Sequence, residues 1–331
     1  MIVGSGKFRY ELAEGWERLP NGWRHGDVTS VVTDAQDRVY VFNRSEHPVI
    51  IYDRDGRFLD SWGEGIFTMR VHGISITRDN VLYCTDDEDH TVRKFTPDGT
   101  LLQTLGTVGK PSDTGYAGGS HPASLATIQR GAGPFNRPTR VFQAPSGDLY
   151  IDDGYGNARI HRFTAGGTLI QSWGEPGDQP GQFNLPHSVW VHTDGRVFVC
   201  DRENDRVQIF SPSGDYLGAW TDLARPADLY IDGQNRVYIG ELALQAGELT
   251  MAGRPITRTC PSQVSIRDLE GNLLARWGDP DPFAPAGFAS AHGIWVDSHG
   301  DIYVSEVAQT ALSRTGRYRP DYPSLKKFIR I

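Results

Sequence analysis

The sequence predicts an all-β fold, a six-bladed β-propeller closed on itself. Three observations carry that prediction. A unit of four short apolar runs recurs, with starts near residues 28, 71, 138, 186, 226 and 291. Within each unit, Asp/Ser-x-x-Gly turns and aromatic residues fall at matching places. The composition, with 38 Gly, 8 Trp, 13 Tyr and 14 Phe, suits many short strands joined by tight turns. A repeat of this length, punctuated by glycine and aromatics, is the mark of blades stacked around an axis.

The units align phrase by phrase. Residues 186–220 read PHSVWVHTDGRVFVCDRENDRVQIFSPSGDYLGAW, and 138–174 read PTRVFQAPSGDLYIDDGYGNARIHRFTAGGTLIQSWG. The last unit reaches its third strand at 324–331. The segment Lys7–Leu12 alternates suitably to supply the missing outer strand, which closes the ring and leaves no open edge between first and last blades. One domain over 1–331 is expected, with loop insertions at about 106–137, 241–262 and 306–323. Insertions of this length in a compact domain point to function, here a cover over one face of the ring.

Composition narrows the function. A net charge of −8 argues against a general nucleic-acid binder, which needs a basic face. No apolar run approaches a membrane span, and the N-terminus lacks the charged start and apolar core of a signal peptide. Cys84, Cys200 and Cys260 are too few and scattered for a disulfide framework, so buried free thiols and a cytoplasmic location are expected.

Three histidines share one register. His72, His187 and His292 open the runs VHGISI, PHSVWV and AHGIWV, in units two, four and six. Units one, three and five carry Thr29, Thr139 and Ala227 there. First strands line the channel of a propeller, so histidines on alternate blades converge on the axis as a tripod. Three imidazoles with an open fourth position suit catalytic zinc. The other seven histidines fall outside the register and read as surface or turn residues.

The units resemble NHL-repeat propellers. With the histidine segments, FNRSEHP at 42–48, DDGYGNARI at 152–160 and CDRENDRVQIF at 200–210 resemble the peptidyl-α-hydroxyglycine α-amidating lyase family over roughly residues 25–331. The resemblance implies a carbon–nitrogen lyase that cleaves an N-acyl-α-hydroxyglycine into an amide and glyoxylate. It implies zinc on His72, His187 and His292, Tyr155 as catalytic tyrosine, and Arg44 and Arg202 as catalytic and substrate-binding arginines for a small carboxylated molecule. Arginine suits that role through bidentate hydrogen bonds. Each of the three also has a plainer reading: Arg202 paired with Glu203 or Asp205, Arg44 with Glu46, and Tyr155 capping a turn.

The pattern departs from the family in two places. Gly293 follows His292 where the family has an aspartate linked to calcium, so calcium there is not carried over; Asp228 holds the matching slot one blade earlier. Gly156 follows Tyr155, and Cys200 has no evident partner, unlike the disulfide-bearing secreted members. Two other readings of the ring remain: a zinc-dependent hydrolase or lactonase, and a non-enzymatic NHL interaction module. The natural substrate and the oligomeric state are not written in the residues.

Overall fold

The computed structural model describes residues 1–118 and 123–331. Six antiparallel sheets surround a central axis. Their first strands are Val28–Thr33, Val71–Ile76, Pro138–Gln143, Pro186–Val191, Pro226–Ile231 and Ala291–Val296. These strands pack side by side around the axis, and blade six meets blade one to complete the circle. Each blade meanders outward from there, as in blade four through Val197–Asp201, Arg206–Phe210 and Tyr216–Trp220.

Packing between blades explains the repeat. Six apolar clusters each draw on two neighbouring blades. One joins Phe198 and Val207 of blade four to Leu229 and Val237 of blade five. Each such fully buried side chain contributes about 1.5–3 kcal/mol. The tryptophan ending a fourth strand lies against the turn glycine of the next blade. A Cβ on Gly214 would meet the Trp173 ring at 2.9 Å, and one on Gly271 the Trp220 ring at 2.4 Å. Both glycines have positive φ, 84° and 88°, which supplies a second reason for glycine.

Blade six borrows from the N-terminus. Phe8–Leu12 pairs antiparallel with Leu325–Arg330, matching Tyr10 to Arg330 and Leu12 to Phe328. Ile2–Ser5 adds a fifth strand outside it, which the sequence reading did not anticipate. Its alternation of one buried and three partly or fully exposed residues gives too short a signal. Phe8 and Tyr10 bury against Trp277, Phe288 and Phe328, so closure is apolar as well as hydrogen-bonded.

In blades one to five the loop entering the first strand bonds to the loop leaving the second. Arg44 N donates to Asp27 O (2.9 Å), Asp87 N to Arg70 O (3.2 Å), Tyr155 N to Arg137 O (3.3 Å) and Arg202 N to Leu185 O (3.1 Å). These loops therefore share one face, and the three insertions meet there. Leu125 N of the blade-three insertion donates to Met251 O of the blade-five insertion (3.1 Å). The helix Ala308–Arg314 of the blade-six insertion docks on blade one, Thr310 N donating to Asp27 Oδ1 (2.9 Å).

Two minor expectations need correction. His161 is not a surface residue: it is fully buried in Arg159–Phe163, bonded to Ser172 Oγ (2.6 Å) and Asp153 Oδ2 (3.2 Å). A lone histidine in a strand satisfies its polar ring inside the sheet when such partners exist, and sequence alone does not reveal them. Cys260 is only partly buried, whereas Cys84 and Cys200 are buried; all three are free. His121 lies outside the described residues.

Closure through the N-terminus is open to test. Phe8→Ala should lower unfolding free energy by about 3–5 kcal/mol, as for other buried aromatics, read by urea denaturation.

Candidate metal centre

A shift of strand register places the histidines. Pairing between first and second strands slips between Pro186 and Ser188, between Ala291 and Gly293, and between Val71 and Ile74. The same slip occurs in the other three blades. Such bulges turn two consecutive side chains toward one side. Both the histidine register and the residue after it thus face the channel. His72, His187 and His292 are 2%, 2% and 5% exposed. Their ring centroids lie 4.7, 4.7 and 4.9 Å apart, and one nitrogen from each falls within 4.8 Å of the others.

The odd blades hold the even-blade rings. His72 Nδ1–H donates to Thr139 O (2.8 Å), His187 Nδ1–H to Ala227 O (2.6 Å), and His292 Nδ1–H to Thr29 O (2.8 Å). Each acceptor is the register residue of the next blade. A carbonyl can only accept, so Nδ1 carries the proton and Nε2 keeps its lone pair for the axis. His72 Nε2 is buried with no protein partner among the described residues. Burial, aided by neighbouring cations, holds His72 and His187 well below the usual imidazole range, and burial pushes His292 down to about 3. Neutral imidazoles of one tautomer, aimed at one point, fit a zinc-type cation.

Tyr155, Arg202 and Arg44 line the mouth above the triad. The Tyr155 hydroxyl lies 3.3 Å from His187 Nε2 and accepts from Arg202 Nη1 (3.0 Å). Arg202 does pair with Glu203 (3.0 Å), as its plainer reading has it, yet it also faces Tyr155 and lies 3.0 Å from Met251 Sδ. Burial opposes the Arg202 charge, but Tyr155 and Glu203 outweigh it and raise its pKa. Arg44 pairs with Asp27 (3.5 Å) rather than Glu46, and donates to Val71 O beside His72 (3.3 Å).

Arg70 was missed by the sequence reading. Its guanidinium lies 5.8 Å from the Tyr155 ring, and Arg202 lies 5.4 Å from the same ring. Aligning the residue two before the triad register would have found it: Asp27, Arg70, Arg137, Leu185, Arg225 and Ser290.

Below the triad lie a buried ion pair and, beside it, the buried carboxylate of Asp152. The residues one past the register include Arg140 and Asp228, which join at 2.7 Å and are 4% and 2% exposed. Asp228 also accepts from Ser188 Oγ (2.6 Å), Leu229 N (2.9 Å) and Ile294 N (3.0 Å). The adjoining cavity is about 10 Å³, at most room for about one water. A guanidinium already supplies the positive charge there. At Gly293 a Cβ would lie 2.3 Å from Ser305 Oγ, so a side chain requires Ser305 to move.

Residues 183–210 match the NHL repeat family. The chain is a six-bladed propeller that carries an NHL repeat in blade four. Human NHL repeat-containing protein 3 is 32% identical over 228 residues, covering 65% of this chain and 61% of that protein. Peptidyl-alpha-hydroxyglycine alpha-amidating lyase 2 of Drosophila melanogaster is 25% identical over 328 residues, covering 89% of this chain and 72% of the fly protein. The chain thus spans about three fifths of the human relative's length. Among solved structures, a streptogramin B lyase matches at 12% identity and a TM-score of 0.59, covering 97% of both chains; this supports the propeller fold alone. No helix among the described residues is long and apolar enough to cross a membrane.

Protein loaded with zinc and dialysed should retain about one equivalent by elemental analysis. Each of His72→Ala, His187→Ala and His292→Ala should retain roughly tenfold less. Arg140→Met leaves Asp228 buried without its cation. It should lower unfolding free energy by about 3–5 kcal/mol in a denaturant titration.

Proposed function

We propose that the protein is a zinc-dependent carbon–nitrogen lyase acting on a small carboxylated carbinolamide, releasing an amide and glyoxylate or a close relative of it. The observation that carries this reading is the Tyr155 hydroxyl, 3.3 Å from a triad nitrogen and bonded to a buried arginine. The matches to amidating lyases support the reaction class.

The chain's residues divide the work. His72, His187 and His292 hold the metal, which when bound supplies a Lewis acid that polarises a substrate oxygen. Arg44 and Arg202 receive the carboxylate through charge-assisted N–H donors. Arg202 N–H also stabilises negative charge on the Tyr155 oxygen, from which Tyr155 takes the carbinol proton. The oxygen's electrons form the new C=O, the C–N bond breaks, and the nitrogen leaves with its electron pair. The proton held by Tyr155 passes to that nitrogen, completing the amide with no redox change.

Met251, Leu125 and Ile128 pack around Tyr155 and exclude water from one side of it. A substrate thus meets a dry wall beside the polar triad. The three free thiols fit a reducing compartment, so we place the reaction in the cytoplasm.

The test is glyoxylate release from α-hydroxyhippurate by zinc-loaded protein. Tyr155→Phe should keep its zinc and lose about 100- to 10,000-fold in kcat. Zinc-loaded wild type that releases no glyoxylate, yet opens lactones, would replace this reading with hydrolysis.

A further inference from the structure

Arginines crowd the mouth beyond what one carboxylate needs. The ring two residues above the triad register carries Arg70, Arg137 and Arg225. The ends of the second strands add Arg44 and Arg202, and the helix Ala308–Arg314 adds Arg314. Three buried carboxylates form ion pairs with them. Asp27 pairs with Arg44; Asp87 is shared by Arg70 (2.7 Å) and Arg137 (3.1 Å); Glu203 is shared by Arg202 (3.0 Å) and Arg225 (2.7 Å). Glu88, near Arg70, is exposed. Arg314 makes no ion pair among the described residues, and its charge is disfavoured by burial and by Arg225 and Arg202. The chain as a whole is at −8. Five guanidiniums thus share three carboxylates, and Arg314 adds a sixth with no ion pair among the described residues, while Asp205 accepts from Arg225 N (2.9 Å).

Arg70 and Arg137 form a distinct cradle. Both are bound to one carboxylate, so the cluster keeps a net positive charge. Their side chains remain 35% and 27% exposed, unlike Arg202 at 4%. Arg70 also flanks the Tyr155 ring, which puts the cradle beside the reacting centre. Asp87 orients both guanidiniums, and the N–H groups not used on it are available to an incoming anion.

We propose that the substrate carries two anionic groups, and that Arg70 and Arg137 receive the second. This rests on the lyase reading for the first group, the carboxylate beside the carbinol, met by Arg44 and Arg202. The second is a carboxylate at the far end of the acyl part. The substrate class is then an N-acyl-α-hydroxyglycine made from a dicarboxylic acid.

The experiment separates the two readings. Zinc-loaded protein is titrated calorimetrically with hippurate and with its 4-carboxybenzoyl analogue, neither of which can react. Glyoxylate release is followed from the α-hydroxy form of each. The dianion should bind about tenfold or more tightly than the monoanion. Arg70→Met and Arg137→Met should each remove most of that difference, and the difference should shrink as salt rises. Equal affinities, undetectable dianion binding, or a preference that survives both substitutions overturns the proposal. Dianion preference with no glyoxylate from either compound removes the lyase reading and leaves the second-anion site standing.

Discussion

The hydrogen bond from each triad imidazole to the backbone carbonyl of the next blade is the contact on which the site depends. His72 reaches Thr139, His187 reaches Ala227, and His292 reaches Thr29. Each bond crosses a blade boundary, so no single repeat contains a competent metal ligand. The third bond spans the seam between blade six and blade one. That seam is held by the N-terminal strands and their apolar contacts with Trp277 and Phe328. Ring closure, a problem of sheet edges, thereby becomes a condition for the geometry of the triad. Backbone carbonyls serve because their position depends on the strand alone, which leaves Thr29, Thr139 and Ala227 chemically unrelated while doing the same job.

Above and below that plane, charge is layered along the axis. Beneath the triad, Arg140 and Asp228 balance each other in a space too small for more than about one water. Above it, arginines outnumber their carboxylates at the mouth. A cation is thus internal and neutralised on one side, and offered to a ligand on the other. Farther down the same strands, Phe142, Trp190, Tyr230 and Trp295 stack against one another, with centroids 4.3 to 6.2 Å apart. The arrangement opens the site toward one face, where the insertions gather. Each insertion adds something the repeat lacks: Met251 lies against Arg202, Leu125 packs near Tyr155, and the helix Ala308–Arg314 braces Asp27 behind Arg44.

Much of this was legible in the chain. The six units, the strand order and the histidine register follow from periodicity, because identical packing between neighbouring blades demands identical spacing. Tyr155, Arg44 and Arg202 follow from the family resemblance that local phrases carry, and the structure brings all three to the mouth beside the triad. Arg70 was overlooked because its importance lies in a second register, visible only when the units are aligned two residues upstream. The Arg140–Asp228 pair is only half legible: Asp228 stands in a marked register, but its partner lies 88 residues away and nothing local links them. The outermost strand Ile2–Ser5 escaped because four residues at a sheet edge carry almost no pattern.

The sequence by itself determined the architecture and the identity of the candidate ligands, because both repeat with the blade. The tertiary structure decided what those ligands can do. It set the tautomer of each imidazole, since the acceptor carbonyl comes from another blade. It chose Asp27 over Glu46 as the partner of Arg44, since only the folded entrance loop brings Asp27 within reach. It also showed that Arg70 and Arg137 share Asp87 at the mouth, a juxtaposition of side chains from two blades. Periodicity encodes what every blade must have in common; the site is made of what the blades do to one another.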